Sequence, residues 1–420
     1  MRTHEPPLTG AGRRNAQRAW ALTAWANHAF ATTVLVVFFP VFLNQYWSPD
    51  LPGTRSTLYL GMANSAASLA VMLLAPWLGA LADRRGQRKL WLGIFTVFGV
   101  IGTALLATIG RGGWPWALPV FVLASIGLYG GSSFQDALLV QVAAPHESNR
   151  VSAYGFAAGY LGGGLLLLIN VLLALQPQWF GIADSVTATR IAFVDVAVWW
   201  ALFTLPVFRY VPEAAPTAEP SGWVELRASI RKVLADATVR RFLVAYWLYI
   251  DAISTLQQMA VDFGAKLGLP TAALIKAVLM VQFIAFPAAV LFGRLGDRIG
   301  ARPAILIGLS VFMFVTGWAL FLHSTWQFYV LAALVGCAQG GVQSLSRSLY
   351  SRLIPRERAG EYFGFYNMLG KFAAFLGPLL VGVVGALSGS PRVGVSSLLI
   401  LFVAGAVLLW FVRVPHAAQR

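Results

Sequence analysis

The chain has 420 residues, of which 58% are hydrophobic and only 11% carry a full charge. A soluble domain has roughly a quarter of its residues charged, so an ordinary soluble protein is excluded. The formal net charge of +15 does not point to nucleic acid, because the basic residues are spread over alternate loops and form no single stripe. The single cysteine, Cys337, excludes a disulfide framework and a cysteine-based metal site.

Met1 to Arg18 is polar and basic, and no small-residue cleavage site follows a short apolar core. The first apolar run is therefore expected to be a retained helix that also serves as an insertion signal. A membrane-crossing helix needs about 20 apolar residues. Runs of that kind predict twelve spans, at 20–44, 57–82, 89–110, 115–141, 151–174, 190–209, 241–264, 271–294, 303–322, 326–350, 361–387 and 393–413. Breakers separate them, such as Ser48-Pro49-Asp50-Leu51-Pro52-Gly53 and Gly110-Arg111-Gly112-Gly113. The sixth span contains Asp195 and the seventh Asp251.

An even number of spans puts both termini on one side. On that side fall 24 of the 31 Lys and Arg residues, against five in the opposite loops: Arg55, Arg111, Arg190, Lys266 and Arg392. This bias predicts that both termini are cytoplasmic and that the protein lies in the cell membrane. The expected organisation is a cytoplasmic segment 1–19, a six-helix bundle 20–210, a cytoplasmic linker 211–240, a second six-helix bundle 241–413 and a tail 414–420. Within the linker, Trp223 to Leu234 has helical spacing with Arg227, Arg231 and Lys232 on a polar face. It is expected to be a surface helix resting on anionic headgroups.

The two halves repeat each other. GALADRRGQRK at 79–89 matches GRLGDRIGARP at 293–303, an offset of 214 residues. Gly130-Gly131, Pro145 and Glu147 recur as Gly340-Gly341, Pro355 and Glu357 at an offset of 210, and Tyr154-Gly155-Phe156 as Phe363-Gly364-Phe365 at 209. A duplicated set of six helices is a transporter architecture, with its site near the midplane where the halves meet. The predicted fold class is therefore all-α integral membrane: twelve transmembrane helices in two pseudo-symmetric bundles.

The repeated GxLaDRxGxRk loop resembles the signature of the major facilitator superfamily. Four longer stretches resemble its Unknown Major Facilitator group, which is similar to the autophagy-related vacuolar amino-acid effluxers. They are WANHAFATTVLVVFFPVFLNQYWS (25–48), GYLGGGLLLLIN (159–170), QFIAFPAAVLFGRLGDRIG (282–300) and GGVQSLSRSLYSRLIPRERAGEYFGFYNMLGKFAAFLGP (340–378). The group usually reads Asp-Trp-Ala-Asn-Ser-Ala-Phe near its start; here Ala24 replaces the Asp and His28 the Ser. The resemblance implies the major facilitator fold, and helices one, four, seven and ten lining a central cavity. It also implies that the loops carrying Gly79, Asp83, Arg84, Gly86 and Arg88, and Gly293, Asp297, Arg298 and Gly300, latch the outward-open state. By residue type, the glycines permit a tight turn, Asp83 can accept hydrogen bonds at a helix end, and Arg84 and Arg88 can pair across the two halves.

An ionisable group inside a span costs about 2.5–3.5 kcal/mol even on the lenient insertion scale, so each is a functional candidate. Asp251 heads a helical stripe with Ser254, Thr255, Gln258 and Asp262, which should line either the cavity or a buried polar network. Lys371 stands one turn after Asn367, either to pair with an acid or to bind an anionic group of the solute. Asp136 lies on the fourth helix; Gln339, Gln343 and Arg347 lie on the tenth, where Arg347 could instead snorkel to the surface. Asn27, His28 and Thr32 form a patch on the first helix, and His28 suits either packing or proton coupling. Lys276 stands near the outer end of the eighth. Gly159, Gly162, Gly163 and Gly164 on the fifth helix, and Gly370 and Gly377 on the eleventh, are small-residue packing surfaces.

These features favour a secondary transporter, not an enzyme, that works by alternating access on a small polar solute. The resemblance implies an amino acid or related metabolite as the cargo and export as the favoured direction; a proton or cation is the expected coupling ion and a monomer the expected state. Asp251 or Asp136 would be the coupling group. No P-loop is present, and no cofactor or nucleic-acid partner is expected. Two other classes remain: a transport-inactive receptor or scaffold, suggested by Ala24, and an intramembrane lipid-handling enzyme. The scatter of His at 4, 28, 146, 323 and 416 disfavours the enzyme.

Overall fold

The computed structural model describes residues 10–51, 53–216, 235–372 and 376–412. Among these, ten helices are long and apolar enough to cross a membrane. In chain order the twelve spans begin with Gly10–Trp47, Gly53–Arg85, Arg88–Leu106, Trp114–Val142, Ser148–Leu175 and Ser185–Tyr210. The second half follows with Ala237–Lys266, Thr271–Ile299, Ala301–Trp318 and Thr325–Leu353, then Ala359–Phe372 with Leu376–Ser388, and Pro391–Ser396 with Leu399–Trp410. The predicted amphipathic helix at 223–234, the segments 1–9 and 414–420, and the side chains of Asp262, Lys266 and Lys371 lie outside the described residues.

Several boundaries differ from the predicted ones. The first helix already includes Gly10, the first described residue, well before the expected start at residue 20, because its polar turns find partners beyond the apolar run. Arg13 pairs with Glu147 at 3.4 Å, and Gln17 donates to the Val142 carbonyl at 3.1 Å. The same helix is wound as π-helix over Phe30–Phe38 and Leu43–Trp47, on either side of Pro40. Proline donates no backbone N–H and crowds the preceding turn, and a widened ladder accommodates both effects. The twelfth span is two helices, Pro391–Ser396 and Leu399–Trp410, where one was expected.

Each half encloses its own apolar core. Phe242, Ile305, Phe312, Leu345 and Phe402 belong to the second; Phe30, Phe39, Phe121, Phe193 and Trp200 belong to the first. The outward surfaces expose Val198, Leu202, Leu205, Ile400 and Trp410, as lipid-facing helices do. The halves meet through the second helix against the eleventh and the fifth against the eighth. Glycines set the first of these approaches: a Cβ on Gly79 would lie 2.3 Å from the Gly360 carbonyl oxygen, and one on Gly364 would lie 2.7 Å from that of Ala75.

Candidate functional site: a closure of the two halves on the basic face

The face that bears the loops at 86–87, 143–147 and 354–358 is the one rich in Lys and Arg; it is called the basic face below. Among the described residues, side-chain hydrogen bonds join the halves between this face and the middle of the helices. These bonds form three tiers.

The outermost tier is the loop after the second helix. Gly86 takes φ +61°, which a glycine adopts without strain, and this brings Arg88 back toward Asp83. Arg88 is 0% exposed; its Nε donates to Asp83 Oδ1 at 2.6 Å, and its Nη2 reaches the carbonyls of Arg356 and Glu357 in the other half. Asp83 also accepts from the amides of Gly360 and Glu361, at 3.0 and 2.9 Å. It therefore caps the start of the eleventh helix, where unpaired N–H groups and the helix dipole favour an anion. Arg356 returns the contact by donating to the carbonyls of Val140 and Ala143. The repeat copy does not mirror this arrangement: Asp297 and Arg298 are exposed, as is Arg84, while Gly293 packs on Ala153 and Gly300 turns the chain at φ +91°. The expected equivalence of the two loops thus fails, because the opposite half buries Asp83 and Arg88 but leaves Asp297 and Arg298 exposed.

The second tier is about 9 Å deeper, six residues inside the ends of the fourth and tenth helices. Arg347 does not snorkel. Its side chain is buried, and Nη1 lies 2.8 Å from Asp136 Oδ1. Nε donates to Ser152 Oγ and Nη2 to the Ser152 carbonyl, both at 2.9 Å. The guanidinium lies over Phe156 at 4.3 Å and over Trp20 at 4.8 Å, contacts a cation favours when desolvated. Asn367 Nδ2 donates to the second Asp136 oxygen at 3.0 Å. The bare Cα of Gly155 makes room, since a Cβ there would lie 2.6 Å from the Trp20 ring and 3.2 Å from Arg347 Nη2.

The third tier is near the middle of the helices. Tyr160 donates its hydroxyl to Gln343 Oε1 and accepts from Gln339 Nε2, each at 3.0 Å. His28 meets the rings of Tyr160 and Phe156 edge-on, with centroids 5.3 and 6.1 Å apart, and rests on Gly159. Among the described residues its ring nitrogens have no hydrogen-bond partner. Asn27 donates to Gln135 Oε1 at 2.7 Å, and Trp20 Nε1 donates to the Gln135 carbonyl.

The structure therefore gathers Asn27, His28, Asp136, Gln343, Arg347 and Asn367. It sets Asp251 and Thr255 apart. Asp251 is 0% exposed and accepts from the Gly377 amide with both oxygens, at 3.0 and 3.1 Å, and from Thr255 Oγ1 at 3.3 Å. It binds the seventh helix to the eleventh inside one bundle, so of the two readings open for its stripe the buried network is the one observed. Gln258 is exposed, as is Lys276. Sequence reasoning missed Trp20, Gln135, Ser152, Phe156 and Tyr160 as functional groups. Uncharged residues carry no insertion penalty large enough to mark them, although the glycines at 155 and 159 signalled a crowded face. Among the described residues no three His, Cys, Asp or Glu side chains gather as a metal ligand set.

Comparison with known proteins agrees with this architecture. Solved structures share the fold. The proton:xylose symporter XylE has a TM-score of 0.76 at 15% identity, with 96% of each chain covered. The human organic anion transporter MFSD10 has 0.75 at 19% identity, covering 96% of this chain and 100% of that one. The Bacillus subtilis protein described as an uncharacterized MFS-type transporter, YxiO, is 35% identical over 403 residues, 94% of each chain. Autophagy-related protein 22 of Yarrowia lipolytica is 26% identical over 305 residues; the match covers 63% of this chain and 51% of that protein. The model of the family described as "Vacuole effluxer Atg22 like" matches residues 53–420, so the chain belongs to that family of membrane transporters with the major facilitator fold.

Proposed function

We propose that the protein is a proton-coupled secondary transporter of the cell membrane that exports a small polar solute, an amino acid or a related metabolite. Both termini lie in the cytoplasm in this reading, supported by the concentration of 24 of 31 cationic side chains on one side. The closure at the basic face then makes the described conformation outward-facing. The name of the family, an effluxer, supports export.

The observation that carries the reading is the Arg347–Asp136 ion pair, which joins the halves beneath the midplane. A buried pair of this kind is a two-state element: removing the charge of one partner leaves the other uncompensated. Protonation of Asp136 removes its charge and releases Arg347, which weakens the second tier and favours opening to the cytoplasm. A zwitterionic solute does the same by substitution, its carboxylate taking Arg347 and its ammonium taking Asp136. Tyr160, Gln343 and His28, just above, offer hydrogen-bond donors and acceptors to the rest of the solute.

Counterflow of radiolabelled amino acids into proteoliposomes tests the reading. The expected result is exchange accelerated by an opposing pH gradient and lost in Arg347→Ala. Absence of exchange across amino acids and related small metabolites, with the protein monodisperse, would favour a transport-inactive receptor on the same fold.

A further inference from the structure

The sixth helix carries a carboxyl group that the closure does not use. Asp195 is the tenth residue after Ser185 and fifteen before Tyr210, which places it about 15 and 22 Å from the two ends of the helix. That depth is inside the hydrocarbon. The side chain is half-buried, and among the described residues it makes no hydrogen bond and no ion pair. It stands at the border of the lipid-facing surface formed by Val194, Val198, Leu202 and Leu205, which are 44%, 59%, 57% and 62% exposed.

One turn further along the same stripe is Trp199, and one more turn brings Phe203. Trp199 stacks on Trp25 of the first helix, with centroids 5.6 Å apart and planes within 14°, and donates Nε1 to the Trp25 carbonyl. Phe203 closes against both rings, at 4.6 Å from Trp199 and 5.9 Å from Trp25. Trp25 is itself seated on Gly162, where a Cβ would meet its ring at 2.5 Å. Three half-buried aromatic rings thus form a preorganised wall that begins with Trp199, one turn from an unpaired carboxyl at the protein–lipid boundary.

We propose that this juxtaposition of Asp195 with Trp199, Trp25 and Phe203 is a binding site, entered from the bilayer, for the cationic head of a lipophilic ammonium compound. An intramembrane carboxyl is functional by default and needs a partner. The aromatic wall selects which kind, because an ammonium gains from ring faces that a hydrogen-bond donor from another helix would not use. A second copy of the chain would oppose like carboxyls. Phospholipid amines are held at the headgroup level, too far from Asp195, so the cation must be carried by a molecule that partitions into the acyl region. The site lies on the outside of the first bundle and is independent of the solute pathway proposed above.

The probe is benzyldimethyldodecylammonium, whose charge does not change with pH, titrated into the full-length protein in phosphatidylcholine nanodiscs, with Trp fluorescence as the readout. Saturable binding is expected, weakened at least tenfold in Asp195→Asn and severalfold in Trp199→Leu, and preserved in Asp195→Glu. Dodecanol, the uncharged counterpart, should not compete. Solute counterflow by Asp195→Asn should stay at the wild-type rate, which reports folding and keeps this test separate from the transport reading. Should Asp195→Asn not fold, Trp199→Leu and the dodecanol competition still decide the matter. Binding within twofold of wild type in Asp195→Asn or in Trp199→Leu, or equal competition by dodecanol, would overturn the proposal.

Discussion

Arg347 of the tenth helix and Asp136 of the fourth face each other at 2.8 Å, and their bond is an ion pair that crosses between the two halves inside the helical region. Asn367 holds the other Asp136 oxygen, and Ser152 holds two further donors of Arg347. Asp136→Asn keeps the shape and removes the charge. We expect it to abolish accumulation driven by a pH gradient, while exchange of solute between equal pH compartments persists at lower solute affinity, since the amide oxygen still accepts from an ammonium. Undiminished gradient-driven accumulation by this variant would remove Asp136 from the coupling role.

Arg347→Ala leaves the Asp136 carboxylate buried without its partner, a loss of about 3–5 kcal/mol for a pair of this type. A thermal denaturation series in detergent should show a large drop in melting temperature. The double variant with Asp136→Ala should be less damaged than the sum of the single changes, since the two residues share one interaction. Additive losses would show that the pair is not energetically coupled.

Asp83→Asn weakens three contacts at once, with Arg88 and with the amides of Gly360 and Glu361. Losing the charge-assisted part of such bonds costs about 1–3 kcal/mol, enough to shift a two-state ratio by about 5- to 150-fold. With the exposed Cys337 replaced first, a cysteine introduced at Gln343 should become more reactive toward a thiol reagent applied at the basic face. Gly79→Val should do the same by steric means, because its Cβ would collide with the Gly360 carbonyl. Unchanged labelling in both variants would mean that this loop does not latch the closure.

Asp251 is expected to contribute stability, not coupling, because it bonds to Gly377 and Thr255 within its own bundle. Asp251→Asn should lower thermal stability while gradient-driven flux by the folded fraction persists. Gly377→Ala should be at least as damaging, since its Cβ would lie 2.0 Å from Thr255 Oγ1 and 2.8 Å from Asp251 Oδ1. A stable, uncoupled Asp251→Asn protein would contradict this assignment.

Glu213, beyond the end of the sixth helix, caps the third helix by accepting from the Lys89 amide. Burial pushes its carboxyl above the usual carboxylate range, against the opposing pull of Lys89. The folded chain therefore holds this proton more tightly than the unfolded chain. Its contribution to stability is present at low pH and is lost as pH rises through the raised value. Glu213→Gln should remove that dependence, so its stability relative to wild type should improve from pH 4 to pH 7. A difference that does not vary with pH would exclude the effect.

The twelve apolar runs, the bias of basic residues and the repeat of the Asp83 loop at Asp297 were legible from the chain alone. Each is a property of residues close together along the sequence: the length of an apolar segment against the thickness of a bilayer, or the charge of a loop beside its helix. Candidate positions were legible too, because an ionisable residue within a span is costly wherever it points. Where each one points was not. Asp136 and Asp251 are equally conspicuous acids within apolar helices, yet one crosses between the halves to Arg347 and the other caps Gly377 in its own bundle. Asp83 and Asp297 occupy matching motifs, yet one is buried and the other exposed. These outcomes depend on which helix faces are brought together over separations of more than a hundred residues, and on which loops the opposite half covers in the conformation adopted. Only the packing of the two bundles decides them.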